Sequence, residues 1–323
     1  MAVARDAVER FGDRLAKLAL VRPKQAEPLP VRVGRKRIYI LPTSFGLFVA
    51  ILLAAMLMGG LNYNNNPALL FGFLLAAVAH NSLVHSHLLL SGVRLKALHA
   101  DPVFSGAPLR LRLRFDADGA RERPGLEILC AGVRATFSLA ANAEHEAVLE
   151  LPTHQRGWFD PGRMRLSTVR PLGLARAWSW LRPDTQLLVY PALDPEAPAL
   201  PEALGDGDSP RTRAHGEQPH HLREYRRGDM PRQIAWKASA RFDRLLVREY
   251  EAAVARDVAL DWDAMPNLGH EARIRRLARW IVEAERSGGS RYSLRIPGQS
   301  IVAGRGAEHR HACLRALALM PHG

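Results

Sequence analysis

The chain has 323 residues, 47% of them hydrophobic, with 45 Lys or Arg against 32 Asp or Glu, a formal charge of +13 and an isoelectric point near 10.6. That hydrophobic content suffices for packed cores and excludes a disordered chain, while the positive excess predicts attraction to polyanions, either nucleic acid or the anionic inner face of a membrane. With only Cys130 and Cys313 in the chain, a disulfide framework and a multi-cysteine zinc site are both excluded.

In chain order, residues 1–37 form a basic segment expected in the cytoplasm. Val8, Phe11, Leu15 and Leu18 recur in it at helical spacing, which fits either a helix lying on the inner leaflet or a frayed tail. From Ile38 to Val93, 56 consecutive residues carry no Asp, Glu, Lys or Arg. Within them Phe45–Leu61 and Pro67–Leu90 each approach the roughly 20 residues that a hydrocarbon core of ~30 Å requires. Only the uncharged turn Asn62–Asn66 separates them, so residues 38–92 are expected to be a transmembrane helical hairpin. Arg22, Lys24, Arg32, Arg35, Lys36 and Arg37 precede it, and Arg94 and Lys96 follow, which predicts that both ends face the cytoplasm. A cleaved signal peptide does not fit, because the first apolar run begins far from the N-terminus and a second follows at once. The expected location is a membrane, multi-pass, with both termini cytoplasmic and the lipid bilayer as one partner.

Residues 93–191 change to period two, clearest in Leu109–Asp116, where Leu and Phe alternate with Arg. Further short runs around Leu126, Phe137, Val148, Leu166 and Leu188, separated by turn residues, predict an antiparallel β-sandwich. The alternating arginines are expected to be the solvated face of a one-sided sheet rather than a nucleic-acid strip. Residues 192–220, rich in Pro, Gly and acidic side chains, are read as a linker.

Residues 221–323 open on a charge-dense stretch. Residues 222–251 hold eight Arg or Lys and five Asp or Glu around Trp236, which is expected to be buried. Gly228, Asp229 and Pro231 suit the turn, cap and first turn of a short helix, and "DRLLVREYE" reads as a strand. Then come a strand through "VALDWD", a helix with Ile274, Leu277, Ala278, Ile281 and Val282 on one face and Gly288 placed to end it, a strand at "RYSLRIP" and a final helix. This alternation predicts an α/β unit with a parallel sheet covered by helices.

"REYRRGDMPRQIAWKASARFDRLLVREYE" resembles the signature of domain-of-unknown-function family 58, with Arg223, Glu224, Tyr225, Gly228, Asp229, Arg232, Trp236, Lys237, Arg241, Arg248 and Glu249 carrying the likeness. Gln155–Trp178 is similar to a second stretch of that family. The resemblance implies a membrane-anchored bacterial protein with a von Willebrand factor type A-like domain, encoded beside MoxR-type AAA+ ATPases and transglutaminase-like membrane proteins, with these ATPases and other membrane proteins as partners in assembly or chaperone-like adaptation at the membrane. The signature more often has Pro where Arg227 stands and Asp where Ala235 stands, departures expected to touch only surface charge and the turn. The expected fold is thus an α+β membrane protein: a transmembrane helical hairpin, an antiparallel β-sandwich-like domain and a truncated α/β type A-like domain.

A working type A domain ends its first strand in Asp-x-Ser-x-Ser to hold Mg²⁺; here Asp261 and Asp263 are followed by Ala264 and Met265, so the site reads as degenerate and no metal or other cofactor is expected. None of the histidine groups, which are His80, His85 and His87, then His215, His220 and His221, then His309 and His311 near Cys313, has a four-ligand spacing. No nucleophile elbow, phosphate-binding loop or paired-histidine zinc motif is present, so no catalytic residue is nominated. The leading expectation is a non-enzymatic membrane-anchored scaffold or adaptor that works with a MoxR-type AAA+ ATPase, with the signature residues as its partner surface. The alternatives are a membrane-tethered nucleic-acid binder, disfavoured because no aromatics are interleaved with the arginines, and an envelope-related hydrolase, which lacks a visible catalytic group.

Overall fold

The computed structural model describes residues 25–201, 218–225, 234–242, 244–251, 257–287 and 291–322. The helical pattern of the first 20 residues, the turn and capping residues Gly228 and Asp229, Arg232, and Gly288 lie outside the described residues. Two compact units divide the chain, Met1–Val189 and Tyr190–Gly323.

In the first unit the strands β1 (Val31–Arg32) and β2 (Tyr39–Pro42) lead into two helices, α1 (Ser44–Asn62) and α2 (Asn66–Leu90). The strands β3 (Val93–His99), β4 (Val103–Phe104), β5 (Leu109–Ala117), β6 (Arg123–Cys130), β7 (Val133–Leu139), β8 (His145–Leu151), β9 (Gly157–Phe159), β10 (Met164–Thr168), β11 (Ala175–Leu181) and β12 (Leu187–Tyr190) follow. They make an antiparallel sheet β1-β3-β5-β8, a second antiparallel sheet β2-β11-β10-β6-β7, and a small sheet β4-β12-β9.

The period-two pattern sorts the faces. Leu109, Leu111, Leu113 and Phe115 are fully buried, in one core with Leu126, Ile128, Met164 and Leu166 of the second sheet. The intervening arginines point outward and meet carboxylates: Arg110 lies 3.1 Å from Glu150, Arg112 3.7 Å from Asp101, and Arg114 3.9 Å from Glu144 and Glu146. Such exposed pairs stabilise by only about 0–1 kcal/mol each. They leave a neutralised face.

One expectation is corrected. The residues just before the apolar run are structural: β1 pairs with β3, and β2 pairs with β11 at Pro42↔Ala175 through Tyr39↔Trp178. The helical hairpin is therefore an insertion in the β-domain, leaving from the edge strand of one sheet and returning into the other. Tyr39, Ile40 and Leu41 merge with the apolar run in sequence, and strands of two and four residues show no alternation to read.

The second unit contains β13 (Gln218–Glu224), α3 (Trp236–Phe242), β14 (Leu246–Glu251), β15 (Val258–Asp261), α4 (His270–Arg286), β16 (Tyr292–Ile296), β17 (Gln299–Gly304) and α5 (Ala307–Ala318). β13 and β14 pair antiparallel, and β15 and β16 pair parallel with α4 as the crossover. Beyond the expected parallel pair, β17 adds an antiparallel edge to β16, so the sheet is mixed. α4 buries Ile274, Leu277, Ala278, Ile281 and Val282 as its spacing predicts, and Trp280 besides.

The start of the supposed linker is also fixed. Arg276 donates to Asp194 at 2.7 Å, and the Trp280 indole N–H donates to the Pro198 carbonyl at 2.9 Å. Burial alone would raise the Asp194 carboxyl, but the Arg276 hydrogen bond, the Glu196 N–H and the charges of Arg276 and Arg275 hold it below its ordinary range.

Candidate functional site: the hairpin base and the signature segment

The hairpin is tied to the β-domain at both ends by polar contacts that its own residues dictate. At the start of α1 the Thr43 hydroxyl accepts the Gly46 N–H at 3.0 Å and donates to the Gly173 carbonyl at 2.6 Å, while the Thr43 N–H donates to Leu174. Gly46 is needed there, because a Cβ would lie 1.8 Å from the Leu174 carbonyl oxygen. In the last turns of α2, the Ser86 hydroxyl bridges the carbonyls of Ser82 and Arg170. Arg123, 4% exposed, closes the C-terminus: its Nη1 donates to the carbonyls of Leu88, Leu89 and Ser91, and its Nη2 to Asp118 O. A buried guanidinium at a helix C-terminus satisfies orphan carbonyls and complements the helix dipole.

Away from this base the hairpin is bare. Phe45, Phe48, Ile51, Leu52, Met58, Leu61, Leu70, Phe71, Phe73, Leu74 and Val78 are all exposed, at positions that run around the helices rather than along one stripe. The two helices touch at small residues: a Cβ on Gly72 would meet Leu57 Cδ2 at 2.6 Å, and one on Gly60 would meet Leu69 Cδ2 at 2.9 Å. Asn65 caps α2 by accepting the Ala68 N–H at 3.1 Å.

Beside the base lies an open cleft of about 1050 Å³, bordered by Arg32, Arg35, Leu88, Asp118, Arg121 and Arg123. The sequence reading used Arg32 and Arg35 only as flanking charge and missed Arg121 and Arg123. An arginine at the start of a strand gives no sign that it will reach back to a helix end 30 residues earlier.

The signature residues divide between two settings. β13 and β14 place Arg223 opposite Val247, Arg248 opposite Leu222 and Glu249 opposite His221. Glu224 pairs with Arg244 at 2.8 Å, and the Tyr225 N–H donates to Leu245 O. Ala235, just before α3, and Ser239 within it are buried, and the Ser239 hydroxyl accepts the Leu246 N–H at 2.9 Å. Trp236 is not buried but 63% exposed, together with Phe242, Lys237 and Arg241 on the outer side of the same helix. Ala235, expected to be a surface position, is 3% exposed and sits where a helix cap would act.

At the end of β15, one oxygen of Asp261 accepts the Asp263 N–H at 3.0 Å and the other faces Arg295 at 3.1 Å; Asp263 is exposed. Among the described residues no three His, Cys, Asp or Glu side chains converge as metal ligands. His309 donates through Nε2 to Tyr292 O at 2.7 Å, which ties α5 to β16. Burial pushes the Cys313 thiol up to about 12; burial and then the Asp160 charge push Cys130 up to about 11, so both are poor nucleophiles.

These features define an α+β chain with several antiparallel sheets and, among the described residues, two helices long and apolar enough to cross a membrane, Ser44–Asn62 and Asn66–Leu90. Residues 221–320 match the model of the family described as Protein of unknown function DUF58, so the chain carries a domain of the family whose signature the motif resembles. No curated protein matches the chain.

Proposed function

We propose that the protein is a scaffold or adaptor of the bacterial inner membrane, multi-pass with both termini in the cytoplasm, which works with a MoxR-type AAA+ ATPase in complex assembly. The observation that carries this reading is the contrast within the hairpin: its base is locked into a β-domain, yet its membrane-length windows are only 11% buried. The core helix of a water-soluble protein would bury its apolar side chains in protein; here they need lipid. Because α1 starts from and α2 returns to one β-domain, both ends of the hairpin belong on one side of the bilayer, in keeping with the basic flanks.

The β15-α4-β16 parallel unit with carboxylates at its strand end supports kinship with a type A-like domain. The exposed Trp236 and Phe242, set among charges on the signature helix, offer aromatic anchors of the kind that dominate protein interfaces. The AAA+ partner itself comes from the family resemblance. The carboxylate-matched arginines of β5 speak against nucleic acid, and the engaged Asp261 and the raised thiols speak for a non-catalytic role. Crosslinking in native membranes followed by capture of the full chain tests the partner: an AAA+ ATPase recovered with wild type and lost with Trp236→Ser is expected, and recovery of none overturns the assignment.

A further inference from the structure

The cleft at the hairpin base has a charge pattern that its folding role does not require. Four guanidiniums border it, those of Arg32, Arg35, Arg121 and Arg123, against the single carboxylate of Asp118. That carboxylate is already divided between Arg32 and Arg94, the latter at 3.0 Å. Arg123 directs both terminal nitrogens to backbone carbonyls. Arg35 and Arg121, both exposed, have no carboxylate partner among the described residues. Gly34 and Gly119 on the rim have open space where side chains would stand, so a ligand can approach the backbone there.

The depth of the cleft narrows the ligand. Leu83 and Val84 are the last exposed large apolar residues of α2. Leu88, on the cleft wall, lies four residues farther, about 6 Å along a helix axis. The polar layer of a bilayer adds roughly 5–7 Å per leaflet to a hydrocarbon core of ~30 Å. The cleft therefore opens at the level of lipid headgroups, on the side where the β-domain lies.

We propose that this cleft binds the phosphodiester headgroup of an anionic membrane phospholipid, with Arg35 and Arg121 as its direct contacts and Arg32 sharing the charge between lipid and Asp118. This rests on the reading of the hairpin as membrane-spanning. Planar guanidiniums suit two-oxygen recognition of phosphate, and anionic lipid is enriched on the cytoplasmic leaflet. Burial, and next the Arg121 charge, pushes the Arg123 guanidinium down, with Asp118 opposing; a bound anion relieves that crowding.

The test uses the full chain in a non-ionic detergent, titrated with dioleoylphosphatidylglycerol, dioleoylphosphatidylcholine or inorganic phosphate, with Tm and native mass spectrometry as readouts. Phosphatidylglycerol is expected to bind saturably and raise Tm while phosphatidylcholine does not, and the double variant Arg35→Gln/Arg121→Gln is expected to bind it at least tenfold more weakly with an unchanged lipid-free Tm. Equal binding by wild type and the double variant, or no preference for the anionic lipid, overturns the proposal. Equal stabilisation by inorganic phosphate at matched concentration overturns its lipid source. Alkaline carbonate extraction of native membranes separates the two readings: a chain that stays in the membrane but shows no anionic preference refutes the lipid site alone, whereas a chain that is extracted refutes the spanning hairpin and the lipid site with it.

Discussion

Gly46 and Leu174 approach so closely that a side-chain carbon on the glycine would stand 1.8 Å from the leucine carbonyl oxygen. The obstructing atom is backbone just ahead of β11, so it cannot swing aside as a flexible side chain would. Gly46→Ala is expected to cost the full chain at least the 1–3 kcal/mol typical of overpacking, roughly, read as a lowered denaturation midpoint. Gly34→Ala, with nothing within 4 Å of its Cβ, should stay within about 0.5 kcal/mol.

Removing Arg123 strands the carbonyls that end α2. Arg123→Gln is expected to destabilise the protein by about 3 kcal/mol, because buried acceptors lose charged donors they cannot replace. Arg123→Lys should recover only part of this, since one ammonium cannot span the helix end and Asp118 O together. Parallel urea titrations of the variants in one detergent check both expectations.

The Asp194–Arg276 pair makes a pH prediction with a definite sign. The folded carboxyl lies below its ordinary value of 3.8, so its stabilisation is present in full above that value and is lost as pH falls through the lower folded value. Asp194→Asn should therefore lower Tm at neutral pH, by an amount that shrinks steadily as the buffer is taken below 3.8. A penalty that stays constant across that range would show that the contact works without ionisation.

Asp261 is engaged by Arg295 and by the Asp263 N–H, and among the described residues no three potential metal ligands converge. Millimolar Mg²⁺ or Mn²⁺ is expected to leave Tm unchanged, and Asp261→Ala to cost about 1 kcal/mol or less, as for a largely exposed pair. Saturable metal-dependent stabilisation abolished by Asp261→Ala would instead reveal a working site.

Reporter fusions check the topology. A reporter inserted at Asn64 should report the far side of the membrane, and one at either terminus the cytoplasm; a far-side result at the C-terminus contradicts both the hairpin and a cytosolic partner.

Much of this was legible beforehand because it rests on local pattern. The apolar stretches Phe45–Leu61 and Pro67–Leu90 delimit α1 and α2 within a residue, the Leu and Arg alternation sets the faces of β5, and Ile274, Leu277 and Ile281 mark the buried stripe of α4. Trp236 misled because an aromatic among charges usually turns inward, whereas here the inward positions are taken by Ala235, just before α3, and Ser239 within it. β17 was missed because its residues, "QSIVAG", are too weakly patterned to mark a strand without β16 beside them.

What the sequence determined by itself is whatever depends on neighbours along the chain: two helices of bilayer length, an antiparallel β-region, a strand-helix-strand unit and a family signature. Only the tertiary structure decided that β1 and β2 draw the basic segment into the two sheets, that Asp194 closes on Arg276, and that Arg123 reaches back to the end of α2 and leaves Arg121 and Arg35 facing an open cleft. Each is a contact between residues distant in sequence, whose energy arises only when the fold brings together groups that carry no local periodicity.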